Sequence, residues 1–387
     1  MAGEIVWGEA ADARARWRSE AGLPPPGRVV LADDTMNADT AYRLACEGTA
    51  LLWQGDYQNA RQLLGALMRR IEKPPARKAR GGKATPEAAT APTALFHRHR
   101  MAQAQRARIL GQILVPLRGD YVVPLRRAPE VFLACLEVLG PVGDANELSV
   151  LSLRELQALI GAHEWRKKGV TISALGITIH PYYGVFSPVR GEYLELIAQA
   201  PLPAALERDS CAFDVGTGTG VIAALLARRG VATVVATDQD ERALACAADN
   251  LKRLGLDDRV QVRSVNLFPE GKAPLVVCNP PWVPAKPSSP IEFAVFDPDS
   301  RMLRGFLSGL RDHLSPGGEG WLILSDLAEH LGLRPRESLM QWIEGAGLRV
   351  VGRIDTRPRH GKVNDSDDPL HTARAAEVTS LWRLTTV

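Results

Sequence analysis

Phe213-Asp214-Val215-Gly216-Thr217-Gly218-Thr219-Gly220 and, further on, Asn279-Pro280-Pro281-Trp282 decide how this 387-residue chain is to be read. Cys211 to Val215 predicts a short buried strand, and Val221 to Arg229 carries alanines and leucines at helical spacing. Glycines between a strand and a helix allow a tight turn and close approach of a ligand. The helix start also presents unpaired N–H groups. A second apolar, β-branched run, Thr233 to Thr237, ends at Asp238, about 20 residues past the loop, where a carboxylate can accept the hydroxyls of a ribose. Asp238 can alternatively cap the helix that follows, although Asp240 is the better cap candidate.

The spacing is Gly-x-Gly-x-Gly, not the Gly-x-Gly-x-x-Gly of dinucleotide enzymes, and Asp214 at the strand end would repel a pyrophosphate. A ligand with cationic groups fits better, which favours S-adenosylmethionine (SAM) over NAD. Asn279-Pro280-Pro281-Trp282 follows the strand Leu275 to Cys278 and so falls at the carboxyl end of the sheet. Two consecutive prolines fix φ and stiffen the loop. Such a loop can hold a planar NH2 group. The Asn279 side-chain oxygen and the Pro280 carbonyl each accept one hydrogen, and Trp282 stacks on the plane. The bland alternative is a Pro-Pro turn with a packed Trp.

With these two motifs, residues from Val170 to Leu384 resemble the class I SAM-dependent methyltransferases of the Asn-Pro-Pro-aromatic type. That group includes release-factor glutamine methyltransferases and the amino-adenine and amino-guanine methyltransferases of nucleic acids. The resemblance implies an α/β fold, a seven-stranded Rossmann-like sheet, with five alternating strands and a final antiparallel pair. It implies that Asp214, Gly216, Thr217, Gly218 and Gly220 surround the methionine half of the cofactor and that Asp238 holds its ribose. Asn266 and Leu267 take the place of the acidic segment that meets adenine in many members. Tyr182-Tyr183-Gly184-Val185-Phe186-Ser187-Pro188 looks like the cofactor roof of the glutamine enzymes, with Phe186 and Pro188 as an apolar wall; core packing is the alternative for Phe186. Asn279, Pro280, Pro281 and Trp282 are the catalytic candidates.

Hydrophobicity is ordinary, and no run of about 18 apolar residues exists, so no membrane span is expected. No secretory segment is read at the start. Five scattered cysteines lack a C-x-x-C pair, so neither disulfides nor a metal site is expected, and a cytoplasmic location is the default. His97 and His99 alone are a weak metal signal.

Charge is unevenly distributed. Residues 1–170 carry +6 and the remainder −3, which sum to the net +3. Between Lys73 and Arg108, nine basic residues face the single acid Glu87. The expected division is a mainly helical substrate-recognition domain, 1–169, with a basic loop at 73–95, and a methyltransferase domain, 170–387, entered through a β-hairpin at 170–181. Within the first part, an Ala/Arg-rich helical stretch precedes Pro24-Pro25-Pro26-Gly27. Asp39 to Glu72 reads as a helical hairpin turning at Gly55-Asp56-Tyr57. Pro129 to Leu139 and Leu153 to Lys167 are further helices, the latter with Ser152 and Glu155 as a capping box. Lys78, Arg80, Arg98, Arg100 and Arg106 are candidate contacts to phosphates, or else a solvated basic face.

These readings converge on methyl transfer from SAM to an amide or exocyclic amine nitrogen. Nucleic acid, RNA in particular, is the leading substrate. A protein glutamine or another side-chain nitrogen is the alternative, and a non-catalytic RNA-binding assembly factor is a third.

Overall fold

The computed structural model describes residues 3–8, 13–72, 91–173, 175–188, 191–359 and 365–387. The chain separates into two compact units, Met1–Ala89 with Arg98–Glu164, and Thr90–His97 with Trp165–Val387.

The first unit is not a helical domain. It contains strands β1 (Glu4–Trp7), β2 (Ala13–Trp17) and β3 (Val29–Ala32), helix α1 (Ala38–Cys46), β4 (Ala50–Trp53) and α2 (Tyr57–Glu72). Then follow α3 (Pro92–Leu110), whose first residues group with the second unit, β5 (Ile113–Arg118), α4 (Phe132–Leu139), β6 (Leu148–Ser152) and α5 (Leu153–Lys168). The six strands form one mixed sheet in the order β1-β2-β6-β5-β4-β3.

Each correction has a local reason. Ala13-Arg14-Ala15-Arg16-Trp17 alternates with period two, burying Ala15 and Trp17 and exposing Arg14 and Arg16, which is the pattern of a strand with one face on the core. The expected helical hairpin is instead helix, strand, helix. Gly48, at φ +83°, leads the chain out of α1, and Ala50-Leu51-Leu52-Trp53 is a wholly buried strand parallel to β3 and β5. A four-residue apolar run cannot be assigned by periodicity alone. The capping box at α5 also fails. Ser152 belongs to the β5–β6 ladder, its Oγ lacks a hydrogen-bond partner, and Glu155 accepts from the Glu20 N–H.

A buried carboxylate anchors the start of α2. Asp56 receives Arg127 Nε at 2.6 Å, Arg126 Nε at 2.9 Å and the Gln58 N–H at 2.8 Å. The Arg127 hydrogen bond leads the influences that hold its pKa down at about 2.

The second unit opens with the hairpin β7 (Val170–Ile172) and β8 (Ile177–Ile179), then α6 (Glu192–Gln199). Alternating elements follow: β9 (Cys211–Val215), α7 (Val221–Arg228), β10 (Thr233–Asp238), α8 (Glu241–Arg253), β11 (Val260–Ser264) and β12 (Ala273–Cys278). The remainder comprises α9 (Arg301–His313), β13 (Leu314–Ser325), α10 (Leu327–His330), α11 (Arg336–Gly345), β14 (Leu348–Thr356), α12 (His371–Ala376) and β15 (Thr379–Thr386). Seven strands run in the order β11-β10-β9-β12-β13-β15-β14, parallel except that β15 is antiparallel to both neighbours. This is the seven-stranded sheet expected from the sequence.

The continuous apolar stretch of β12 follows from burial on both faces. Leu275 and Val277 pack with residues of α6, α7 and α8, whereas Val276 and Cys278 pack with Leu303, Phe306 and Leu310 of α9 and with α11. Asp365, Asp367 and Asp368 lie between β14 and β15, on the stretch that leads into α12. Asp368 accepts from the Leu370 N–H at 2.9 Å and pairs with Arg374 at 2.7 Å.

Candidate functional site: the carboxyl ends of β9, β10 and β12

Strand order reverses between β9 and β12. β10 and β11 lie to one side of β9, while β12 and β13 lie to the other. The crevice at such a switch point is where open α/β sheets bind ligands, and both motifs end there.

The glycine loop is held from beneath. The Gly216 and Thr217 N–H groups donate to the Thr237 carbonyl at 2.9 and 2.8 Å. Gly220, at φ +80°, starts α7, and a Cβ there would stand 3.2 Å from the Ala247 Cα on α8. This position therefore requires glycine for both conformation and close packing. Gly218 has nothing within 4 Å of the place its Cβ would occupy, leaving open space above the loop.

Asp214 is fully buried. Its Oδ2 accepts from Thr217 Oγ1 at 2.6 Å and from the Ala223 N–H at 3.0 Å, while Oδ1 is buried with no hydrogen-bond partner. Burial is the main cause that pushes its pKa up to about 7. A half-satisfied buried carboxylate is costly unless a cation or donor completes it.

Asp238 is not the cap of α8. Its Oδ2 accepts from the Gly218 N–H at 3.1 Å and Oδ1 from the Asp240 N–H at 3.0 Å. The cap is Asp240, which accepts from Arg242 and Ala243. Asp238 is half-buried, and burial raises its pKa. Asn266 is exposed beyond β11. Leu267 is half-buried at φ +66° and accepts from Thr237 Oγ1, linking that loop to the end of β10. Phe186 is half-buried and Pro188 buried.

At the end of β12, Trp282 Nε1 donates to Asn279 Oδ1 at 2.9 Å. The indole is half-buried and packs against the apolar clusters on both sides of the sheet. Beyond it, the Val283 carbonyl accepts from Asp297 N–H at 2.9 Å, and Asp297 Oδ2 accepts from Met302 and Leu303 at the start of α9. The segment after the motif is thereby pinned to a helix. Met302 in turn lies against Gly216, where an added Cβ would meet its Cε.

Several contributors were not read from the sequence. Tyr193, on α6, is buried beside Asn279, whose side chain offsets part of the upward push that burial gives the phenol. Asn250, buried on α8, donates to the Thr219 carbonyl at 3.0 Å and accepts from the His180 N–H at 2.7 Å, joining the glycine loop to the segment after β8. Its one available signal was a polar residue on the face that carries Ala243, Cys246, Ala247 and Leu251.

The basic candidates sit elsewhere in the chain. Arg98, Arg100 and Arg106 lie along α3, where most residues from Arg98 to Arg108 are exposed. Arg106 pairs with Glu72 at 2.7 Å, and Arg108 donates to the Cys46 carbonyl at 3.2 Å. Lys78 and Arg80, with most of the basic loop at 73–95, lie outside the described residues.

Residues 177–334 match the family model described as the methyltransferase small domain. The chain is 39% identical over 149 residues to the release factor glutamine methyltransferase of Cereibacter sphaeroides, covering 37% of this chain and 50% of the relative. The enzyme of the same name from Gloeobacter violaceus is 29% identical over 234 residues, 59% of this chain and 74% of the relative. The tRNA1(Val) (adenine(37)-N6)-methyltransferase of Bacteroides fragilis is 29% identical over 152 residues, covering 35% of this chain and 64% of the relative. The chain thus spans half the length of the first of these relatives.

The residues present fit SAM: an orphaned buried acceptor for a cationic group, open space above Gly218, and a half-buried carboxylate at the end of β10. Residues 177–334 thus combine the match to the methyltransferase small domain with a donor set that fits SAM, and the second unit is similar to SAM-dependent methyltransferase domains.

Proposed function

We propose that this chain methylates a planar amide or exocyclic amine nitrogen, and that the nitrogen belongs to a nucleic-acid base, with RNA favoured over DNA. The observation that supports nitrogen chemistry is the stiff Asn279-Pro280-Pro281-Trp282 loop beside the Asp214 loop at the switch point. SAM, when bound, supplies an activated methyl group. Asp214 and Asp238 hold its cationic and hydroxyl groups, and the glycine loop admits it closely. Asn279 Oδ1 and the Pro280 carbonyl accept the hydrogens of the target NH2 and aim its lone pair. Alignment of the attacking nitrogen with the methyl group is the main source of rate, as expected where reactants are held in near-attack geometry.

Support for RNA comes from the +6 charge of residues 1–170 and the exposed, arginine-bearing α3. Release of counterions by such arginines makes binding steeply salt-dependent. A protein glutamine is the second reading. The names of two relatives and the Tyr182–Pro188 segment favour it.

Purified protein incubated with methyl-labelled SAM and fractionated cell extract tests the proposal, with Asn279→Ala alongside. Nuclease-sensitive label, lost in the variant, is the expected result. Protease-sensitive label that survives nuclease replaces RNA by protein. Absence of transfer to either fraction, with SAM binding confirmed, refutes both.

A further inference from the structure

The proposed chemistry requires a particular end of the Asn279 carboxamide to face the substrate. An NH2 group needs acceptors, so the oxygen must be presented to it. A carboxamide rotated end for end sets donor against donor. Asparagine oxygen and nitrogen are nearly the same size, and packing alone distinguishes them poorly. Only hydrogen-bond partners choose between them.

Trp282 supplies one such partner. An indole N–H donates and never accepts, so the 2.9 Å bond from Trp282 Nε1 specifies the oxygen on that side. A carbonyl oxygen has two lone pairs, and the bond to Trp282 uses one, leaving the other for a substrate hydrogen. Tyr193 is the second neighbour of this side chain. Its side chain is 4% exposed, reaches Asn279 from α6, and lies close to Asp214. The carboxamide is therefore held from the loop by an indole, with a buried phenol from a different element beside it. Neither partner was required by the glycine loop or by the Pro-Pro stiffening.

We propose that Trp282 and Tyr193 are positioning residues that lock the Asn279 carboxamide with its oxygen directed for the substrate NH2. This rests on the nitrogen-methylation reading given above. The indole N–H, which phenylalanine or tyrosine would not offer at the same place, is the determinant at the fourth position of the motif.

The test uses the full-length chain and the variants Trp282→Phe, Tyr193→Phe and Asn279→Ala. Phenylalanine keeps an aromatic ring in each place: at 193 it removes only the hydroxyl, and at 282 it removes the N–H donor together with part of the indole's packing surface. Two readouts are taken: initial transfer of labelled methyl from saturating SAM to unfractionated extract, and the indole N–H region of the nitrogen–proton correlation spectrum. The chain has eight tryptophans, and the peak missing in Trp282→Phe is that of Trp282. The expected result is a ten- to hundredfold fall in transfer rate for each Phe variant, the range set by misplacement of a positioning group. The affinity for SAM stays within twofold. The Trp282 indole peak shifts and exchanges faster in Tyr193→Phe and in Asn279→Ala. Wild-type rates in both Phe variants, or losses that follow weakened SAM binding, overturn the proposal. An indole peak indifferent to Asn279→Ala and Tyr193→Phe also overturns it. If wild-type protein transfers nothing, the nitrogen-methylation reading fails first, and the indole spectrum still decides whether the lock exists.

Discussion

The orphaned oxygen of Asp214 makes a quantitative prediction about pH. Without ligand, burial pushes this carboxyl up to about 7, against 3.8 for the ordinary group. Its native state therefore holds a proton between those two values that the unfolded chain has released. Stability associated with Asp214 is fully present below 3.8 and falls as pH rises through about 7. The span corresponds to roughly 4 kcal/mol at most. A cationic ligand group reverses the preference by pairing with the ionised form, so binding expels the proton at pH below 7. The apparent dissociation constant then scales as one plus ten raised to (7 − pH). That factor is about 11 at pH 6 and about 1.1 at pH 8, giving roughly tenfold tighter binding at the higher pH. Calorimetric titration with SAM at half-unit steps between pH 6 and 8 measures it. Asp214→Asn cannot ionise, so its profile is expected to be flat and its affinity at pH 8 lower by about 10- to 100-fold, the worth of a hydrogen bond to a charged group. Asp238→Asn, which faces neutral hydroxyls in the proposed pose, weakens binding but keeps the slope. A flat wild-type profile, or an unchanged slope in Asp214→Asn, refutes the assignment.

Gly220→Ala combines a left-handed φ of +80° with a Cβ 3.2 Å from the Ala247 Cα; a loss of about 1–3 kcal/mol in urea unfolding is expected, with weakened SAM binding. In the first unit, Asp56 sits at about 2, well below its ordinary value of 3.8, so its contribution is present above 3.8 and is lost as pH falls towards 2. Acid unfolding of Asp56→Asn, followed by circular dichroism, should lack that loss. Burial pushes the Cys135 and Cys246 thiols up to about 12, so a disulfide-exchange reagent added to native protein should label the half-buried Cys46 before either of them, as mass spectrometry of timed digests would record.

Legibility differed between the two units for physical reasons. In the second unit the elements announce themselves locally. β9 and β12 are apolar runs because both faces are buried, and α8 carries its cap, Asp240, at its own start. In the first unit β3 and β4 span four residues each, too short for any periodicity to separate strand from buried helix. β4 takes its identity from pairing with β5, whose residues lie some sixty positions on, and β3 from pairing with β4. The alternation in Ala13–Trp17 was legible, yet its alanines and arginines are good helix formers, and sheet pairing overrode that propensity.

The site divides in the same way. Sequence alone determined the glycine turn, the carboxylates at Asp214 and Asp238, and a rigid Asn-Pro-Pro-Trp loop at the end of a buried strand, because each is a property of consecutive residues. Only the tertiary structure decided that Trp282 donates to Asn279 and that Tyr193 reaches the same carboxamide. It also decided that Asn250 ties the glycine loop to His180, and that Asp297 fastens the segment beyond the motif to α9. These contacts join residues from separate elements. Their geometry is created when the helices dock on the sheet, and no spacing along the chain records it.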